Sequence, residues 1–158
     1  MADASFEDGR EAALNLGALE AEDLKILSSL VQDAVFPVTE MSWRASERRF
    51  ALLVNRFRWE DREAAERRGR AFERVQSLLV VDNVLAVASQ GVDRKDKDLV
   101  LSLLSVVFEP DEDGAGNVLL TLAGDGAVRL AVEALEVSLR DVTRPYLAPS
   151  GHAPDHGA

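Results

Sequence analysis

The 158-residue chain contains no cysteine, which excludes disulfides, thiolate metal sites and a cysteine nucleophile. Histidine is nearly as scarce. His152 and His156 are the only two, and both lie among glycines and prolines, where a helix presenting them together to zinc is not expected. For the same reason no Ser-His-Asp arrangement is expected. No run approaches the roughly 18 apolar residues of a membrane-spanning helix. The first ten residues carry Asp3, Glu7 and Asp8, where a secretory signal would place a basic start and an apolar stretch. The reading is a cytoplasmic protein, without cofactor or metal and without membrane attachment.

What is present suits one core. With 47% hydrophobic residues, the length supports one domain and hardly two. We expect a loose lead-in over 1–20, a globular domain over 21–144 and a flexible, proline-bearing tail over 145–158. The net charge of −10 opposes binding to phosphate backbones or anionic lipid in general. The charge is unevenly spread, however. Residues 44–74 hold ten arginines against six acids, a local surplus that suggests a basic face for an anionic partner.

The apolar pattern is mostly that of strands. Residues 24–31 alternate as a strand, while Leu24, Leu27, Val31 and Ala34 also fit a helix. Segments 38–44 and 48–57 flank a turn at Ala45-Ser46-Glu47, and 61–70 reads as a charged connection with room for a helical turn. Segments 72–81 and 84–90 flank Asp82-Asn83, a hairpin signal. Strands over 99–108 and 117–123 surround an evident loop. From 125 to 142, Val128, Val132, Leu135, Leu139 and Val142 recur at helical spacing, with Asp125 as N-cap and Pro145 as stop. Seven strands followed by one helix predict an α+β fold, a pleckstrin-homology-like antiparallel barrel plugged by its C-terminal helix. The alternative is a split β-barrel.

At Leu30-Val31-Gln32-Asp33-Ala34-Val35, at Asn55-Arg56-Phe57-Arg58-Trp59-Glu60 and at GDGAVRLAVE from Gly124 to Glu133, the chain resembles a family of small uncharacterised proteobacterial proteins classed as a domain of unknown function. The likeness runs from about Glu22 to His156. It implies a single domain, and no activity, ligand or catalytic residue to carry over.

The densest chemistry lies at 55–60. Arg56 and Arg58 share one strand parity and Phe57 and Trp59 the other, so two guanidinium groups would reach together for a carboxylate or phosphate while the aromatics anchor the strand. The plainer alternative is a local pair with Glu60. Asp33 stands between apolar residues, as a general base or, more simply, as a turn or ion-pair residue. Gly124-Asp125-Gly126 carries a negative charge where an anion would bind, so capping is the better reading. No catalytic constellation emerges. The expected function is a non-enzymatic binding or protein-interaction module engaging an acidic or phosphorylated partner, protein or small anion, through residues 44–74, with Arg56, Arg58, Trp59 and Asp33 as candidates. The alternatives are a small-molecule-binding or enzymatic split barrel, and a homo-oligomer joined through a strand edge.

Overall fold

Left-handed backbone positions punctuate the chain. Asp33, Asn83, Asp113 and Asp125 take positive φ, as do Gly69, Gly91, Gly114 and Gly124; Asp and Asn tolerate this region through local hydrogen bonding. Between these turns lie the elements of a computed structural model that describes residues 13–148 and 153–154. Among them are eleven strands: β1 (Asn15–Ala18), β2 (Ala34–Pro37), β3 (Met41–Arg44), β4 (Arg49–Phe57), β5 (Glu73–Val81), β6 (Val84–Gln90), β7 (Val100–Pro110), β8 (Gly116–Leu122), β9 (Ala127–Val132), β10 (Val137–Asp141) and β11 (Tyr146–Leu147). Two helices accompany them, α1 (Ala21–Leu30) and α2 (Arg62–Arg68).

All pairing is antiparallel, in the order β1-β10-β5-β4-β2-β7-β8-β9-β6, with β3 beside β4 and β11 beside β5. The sheet is open and falls into two leaves. One is β1-β10-β5-β4 with β3 and β11, the other β2-β7-β8-β9-β6. A single bridge, Val35 to Asn55, joins them. On either side of Val35 the backbone donors are spoken for or missing: before it, Asp33 N–H donates to Leu103 O of β7 at 2.8 Å and Ala34 N–H to Val31 O at 3.0 Å, and after it Val38 N–H donates to Leu99 O at 2.9 Å. Pro37, two residues after Val35, has no N–H to give. Both leaves contribute to one core, Leu52, Val54, Leu79 and Leu139 from the first and Leu103, Leu120, Leu130 and Val132 from the second, with Leu24 and Leu27 of α1 beside them.

The structure corrects three expectations. Residues 24–31 take the helical alternative. Leu24, Leu27, Val31 and Ala34 are all buried, whereas Ile26, which a strand would have turned inward with Leu24, is 61% exposed. The expected C-terminal helix is two strands, β9 and β10, on different leaves. Gly124 (φ 83°) and Asp125 (φ 68°) are consecutive left-handed residues, which reverse the chain into the β8–β9 hairpin instead of capping a helix. Leu130 and Val137 are fully buried, though a helix would have placed them off its stripe. The closed barrel with a helical plug is accordingly replaced by an open sheet. Asp82-Asn83 also differs: the strands on either side end where expected, but the turn carries the chain from one leaf to the other. Asn15–Ala18 and Tyr146–Leu147, within the expected lead-in and tail, pair with β10 and β5.

Among the described residues no helix is long and apolar enough to cross a membrane, and no three His, Cys, Asp or Glu side chains converge as for a metal. His152 and His156 lie outside the described residues.

Candidate functional site

Strand parity places Arg56 with Phe50, Leu52 and Val54, on the face of β4 that meets the core. Its side chain is 0% exposed. A buried guanidinium persists only if its donors are met, and here they are. Arg56 Nη1 and Nη2 donate to Glu60 Oε1 and Oε2 at 2.9 and 2.8 Å. Nη2 also donates to Asp141 Oδ1 at 3.0 Å, and Nε to Ser77 Oγ at 3.0 Å. Ser77 Oγ donates to Asp141 Oδ1 at 2.6 Å, and Asp141 Oδ2 accepts the Leu14 N–H at 2.9 Å. Burial pushes the Arg56 pKa down, but hydrogen bonds and charge from Glu60 and Asp141 outweigh it and hold the value above that of ordinary arginine.

Arg58, also buried, pairs with Glu73 and lies 3.7 Å from Asp61; Asp61 in turn holds Arg70 through two bonds of 2.7 and 2.8 Å. A cleft of about 510 Å³ is lined by the Arg58–Glu73 pair and by Arg144 and Pro145. Trp59 Nε1 donates to Gln32 O at 3.0 Å, and its ring meets Phe57 edge-on with centroids 4.7 Å apart. Asp33 sits in the left-handed turn before β2, where its N–H donates to Leu103 O at 2.8 Å.

The structure therefore places Arg56, Arg58 and Trp59 around one strand end, with Arg56 and Arg58 engaged by the protein's own carboxylates. The same holds along the arginine-rich segment. Arg44, Arg48, Arg49, Arg62, Arg67 and Arg70 each have a carboxylate within 4 Å. Arg68 and Arg74 have none among the described residues. Arg74 is half-buried, its Nε donating to Asn55 Oδ1 at 2.6 Å and its Nη2 to Asn55 O at 3.0 Å. Burial lowers its pKa, against attraction from Tyr146 and Asp33.

Two further features are open to solvent. The first is the end of the sheet. Among the described residues β6 pairs only with β9, and its sequence, VLAVASQ, has neither charge nor proline, two of the usual guards of an edge strand. Leu85 is 53% exposed. Between β6 and the short strand β3 lies a cavity of about 60 Å³, lined by Met41, Trp43, Val87, Ser89 and Arg94 among others. At one end β6 meets the turn between β3 and β4, where Val84 N–H donates to Arg48 O at 2.9 Å. The second feature is the groove left where β2 parts from β4, about 340 Å³, with Pro37, Leu53 and Val100 as apolar wall, Asn55 and Gln76 as amides and Glu40 among its lining residues.

Residues 14–156 match the family model described as a protein of unknown function, DUF2948. The chain belongs to that family. No curated protein and no solved structure matches it. The DUF2948 match takes in the Arg56 cluster, the β6 edge and the groove alike. Neither open feature of this DUF2948 domain was singled out from sequence. The uncharged run of seven was the available signal for the first, and Pro37 inside an apolar stretch for the second.

Proposed function

We propose that this domain is a non-enzymatic interaction module that takes up an extended segment of a partner protein along β6. The observation that carries the reading is the end of the sheet, an uncharged, proline-free strand of seven residues with one neighbour among the described residues. An added strand gains backbone hydrogen bonds whatever its sequence, and side-chain pockets confer selectivity. Here the 60 Å³ cavity beside Trp43 and Val87 suits one small apolar side chain. Arg94, exposed and without a carboxylate within 4 Å among the described residues, suits an acidic one. The anionic preference expected of residues 44–74 thus moves to the rim of β6, because eight of those ten arginines are matched by the protein's own acids.

The test is a photoactivatable amino acid placed at Ser89, and separately at Glu63 on α2, in the native cell. The reading expects a discrete adduct with another protein from Ser89 and not from Glu63, abolished by Ala88→Lys. An adduct that survives Ala88→Lys, or that forms equally from Glu63, contradicts it. An adduct of the chain with itself would assign the edge to a second copy instead.

A further inference from the structure

The registers of the first leaf set the order of side chains on its outward face. Along β4 and β5 the buried residues alternate with half-buried ones, which point away from the core. The half-buried ones pair across the two strands: Ala51 with Val80, Leu53 with Leu78, Asn55 with Gln76. Asn55 Oδ1 accepts from Arg74 Nε at 2.6 Å, which leaves its N–H₂ to donate elsewhere. The Gln76 side chain makes no hydrogen bond among the described residues.

The row through the two leucines continues on both sides. Leu78 pairs with Arg140 of β10. Beyond Leu53, β3 begins at Met41, which pairs with Leu52, so Glu40 comes level with Leu53, and the two line the same groove. Across four neighbouring strand positions the order is therefore cation, leucine, leucine, anion. Arg140 and Glu40 are both exposed, and neither is in an ion pair among the described residues. Three strand spacings, about 14 Å, keep them from meeting each other.

We infer that this face packs against the same face of a second copy, about a two-fold axis running along the strands between β4 and β5. Such an axis reverses the order across the row and keeps the position along the strand, so each β5 residue meets the copy of its own β4 neighbour. Leu78 meets the partner's Leu53, Val80 meets the smaller Ala51, and Gln76 meets the amide of Asn55. Arg140 meets Glu40. The occupant is a second copy because the row becomes its own complement when turned by 180°, as an isologous contact requires. Sheets packed face to face stand about 10 Å apart with their strands aligned to within about 30°, which leaves room for one layer of side chains from each. β6 lies at the far end of the other leaf and takes no part.

The test is analytical ultracentrifugation of the full chain over a range of concentrations. A monomer–dimer equilibrium is expected. Glu40→Arg and Arg140→Glu should each weaken it about tenfold, because a two-fold contact contains the ion pair twice and either change turns attraction into repulsion. The two changes together restore the pair with its signs exchanged, and should return the dimer to near its original strength. Leu78→Lys should give a monomer that melts cooperatively; the charge reversals, at exposed positions, decide the matter if that variant does not fold. Ala88→Lys, which blocks the β6 edge, should leave the dimer unchanged. A chain that stays monomeric to millimolar concentration would overturn the inference and leave the face to another protein. So would a dimer indifferent to either charge reversal, a double variant no stronger than the single ones, or a dimer lost in Ala88→Lys.

Discussion

Arg56 shows how far a single residue's role depends on partners distant in sequence. The parity that pairs Arg56 with Arg58 was legible in the chain, but the direction in which that parity points was not. Asp141, 85 positions later, arrives on β10 and makes the inward position tolerable. Removing the guanidinium would leave Asp141 buried without its cation. Arg56→Met should therefore lower stability by about 3–5 kcal/mol, read from denaturant unfolding. A loss within about 1 kcal/mol would show that the cluster is not holding the strand end. The chain's one tyrosine offers a second residue-scale test. Burial raises the Tyr146 pKa above 10.0, with Arg74 pulling the other way. A group whose pKa is raised by folding supports the folded state below its unfolded value and loses that contribution as pH rises through the folded one. Spectrophotometric titration should show a single tyrosinate transition above pH 10.0, moved higher still by Arg74→Met. A midpoint at or below the ordinary value would contradict the burial.

At the scale of elements, local turn chemistry was the more legible part and periodicity the less. The Ala45-Ser46-Glu47 turn between β3 and β4 and the glycine-bearing loop between β7 and β8 follow from polar stretches between apolar runs. Residues 125–142 misled because Val128, Val132, Leu135 and Leu139 are buried in either geometry. Their helical spacing arises from two strands joined by a four-residue crossing, and the buried Leu130 and Val137 distinguish the cases only after folding. Gly116, where β8 begins, is needed for close approach. A Cβ there would collide with the Glu109 carbonyl oxygen across the β7–β8 hairpin. Gly116→Ala should cost about 1–3 kcal/mol, as overpacking does, measured by the same unfolding experiment; an unchanged midpoint would mean that the hairpin yields. Pro37 governs the groove. Pro37→Val supplies an N–H beside β4, and should slow hydrogen exchange at 53–55. Unchanged exchange there would show that something other than the missing donor ends the pairing.

For the molecule as a whole, the strand content was largely readable and the order of strands was not. Which strand lies at an edge depends on long-range pairing, and the uncharged run of β6 suits an interior strand as well as an edge. Charge behaves similarly. The arginine surplus at 44–74 is visible in the chain, but Arg48 to Glu133 and Arg49 to Asp82 are ion pairs made by folding, which spend that surplus internally. On the proposed reading, what is left for a partner is an acidic body with an uncharged, proline-free strand at the end of its sheet. The measurement that tests this most directly is hydrogen exchange of residues 84–90, alone and with the protein captured from Ser89. The account predicts rapid exchange of the unpaired β6 amides in the free domain and strong protection in the complex, with α2 unaffected. Unaltered exchange across β6 in a complex that protects another surface would contradict it.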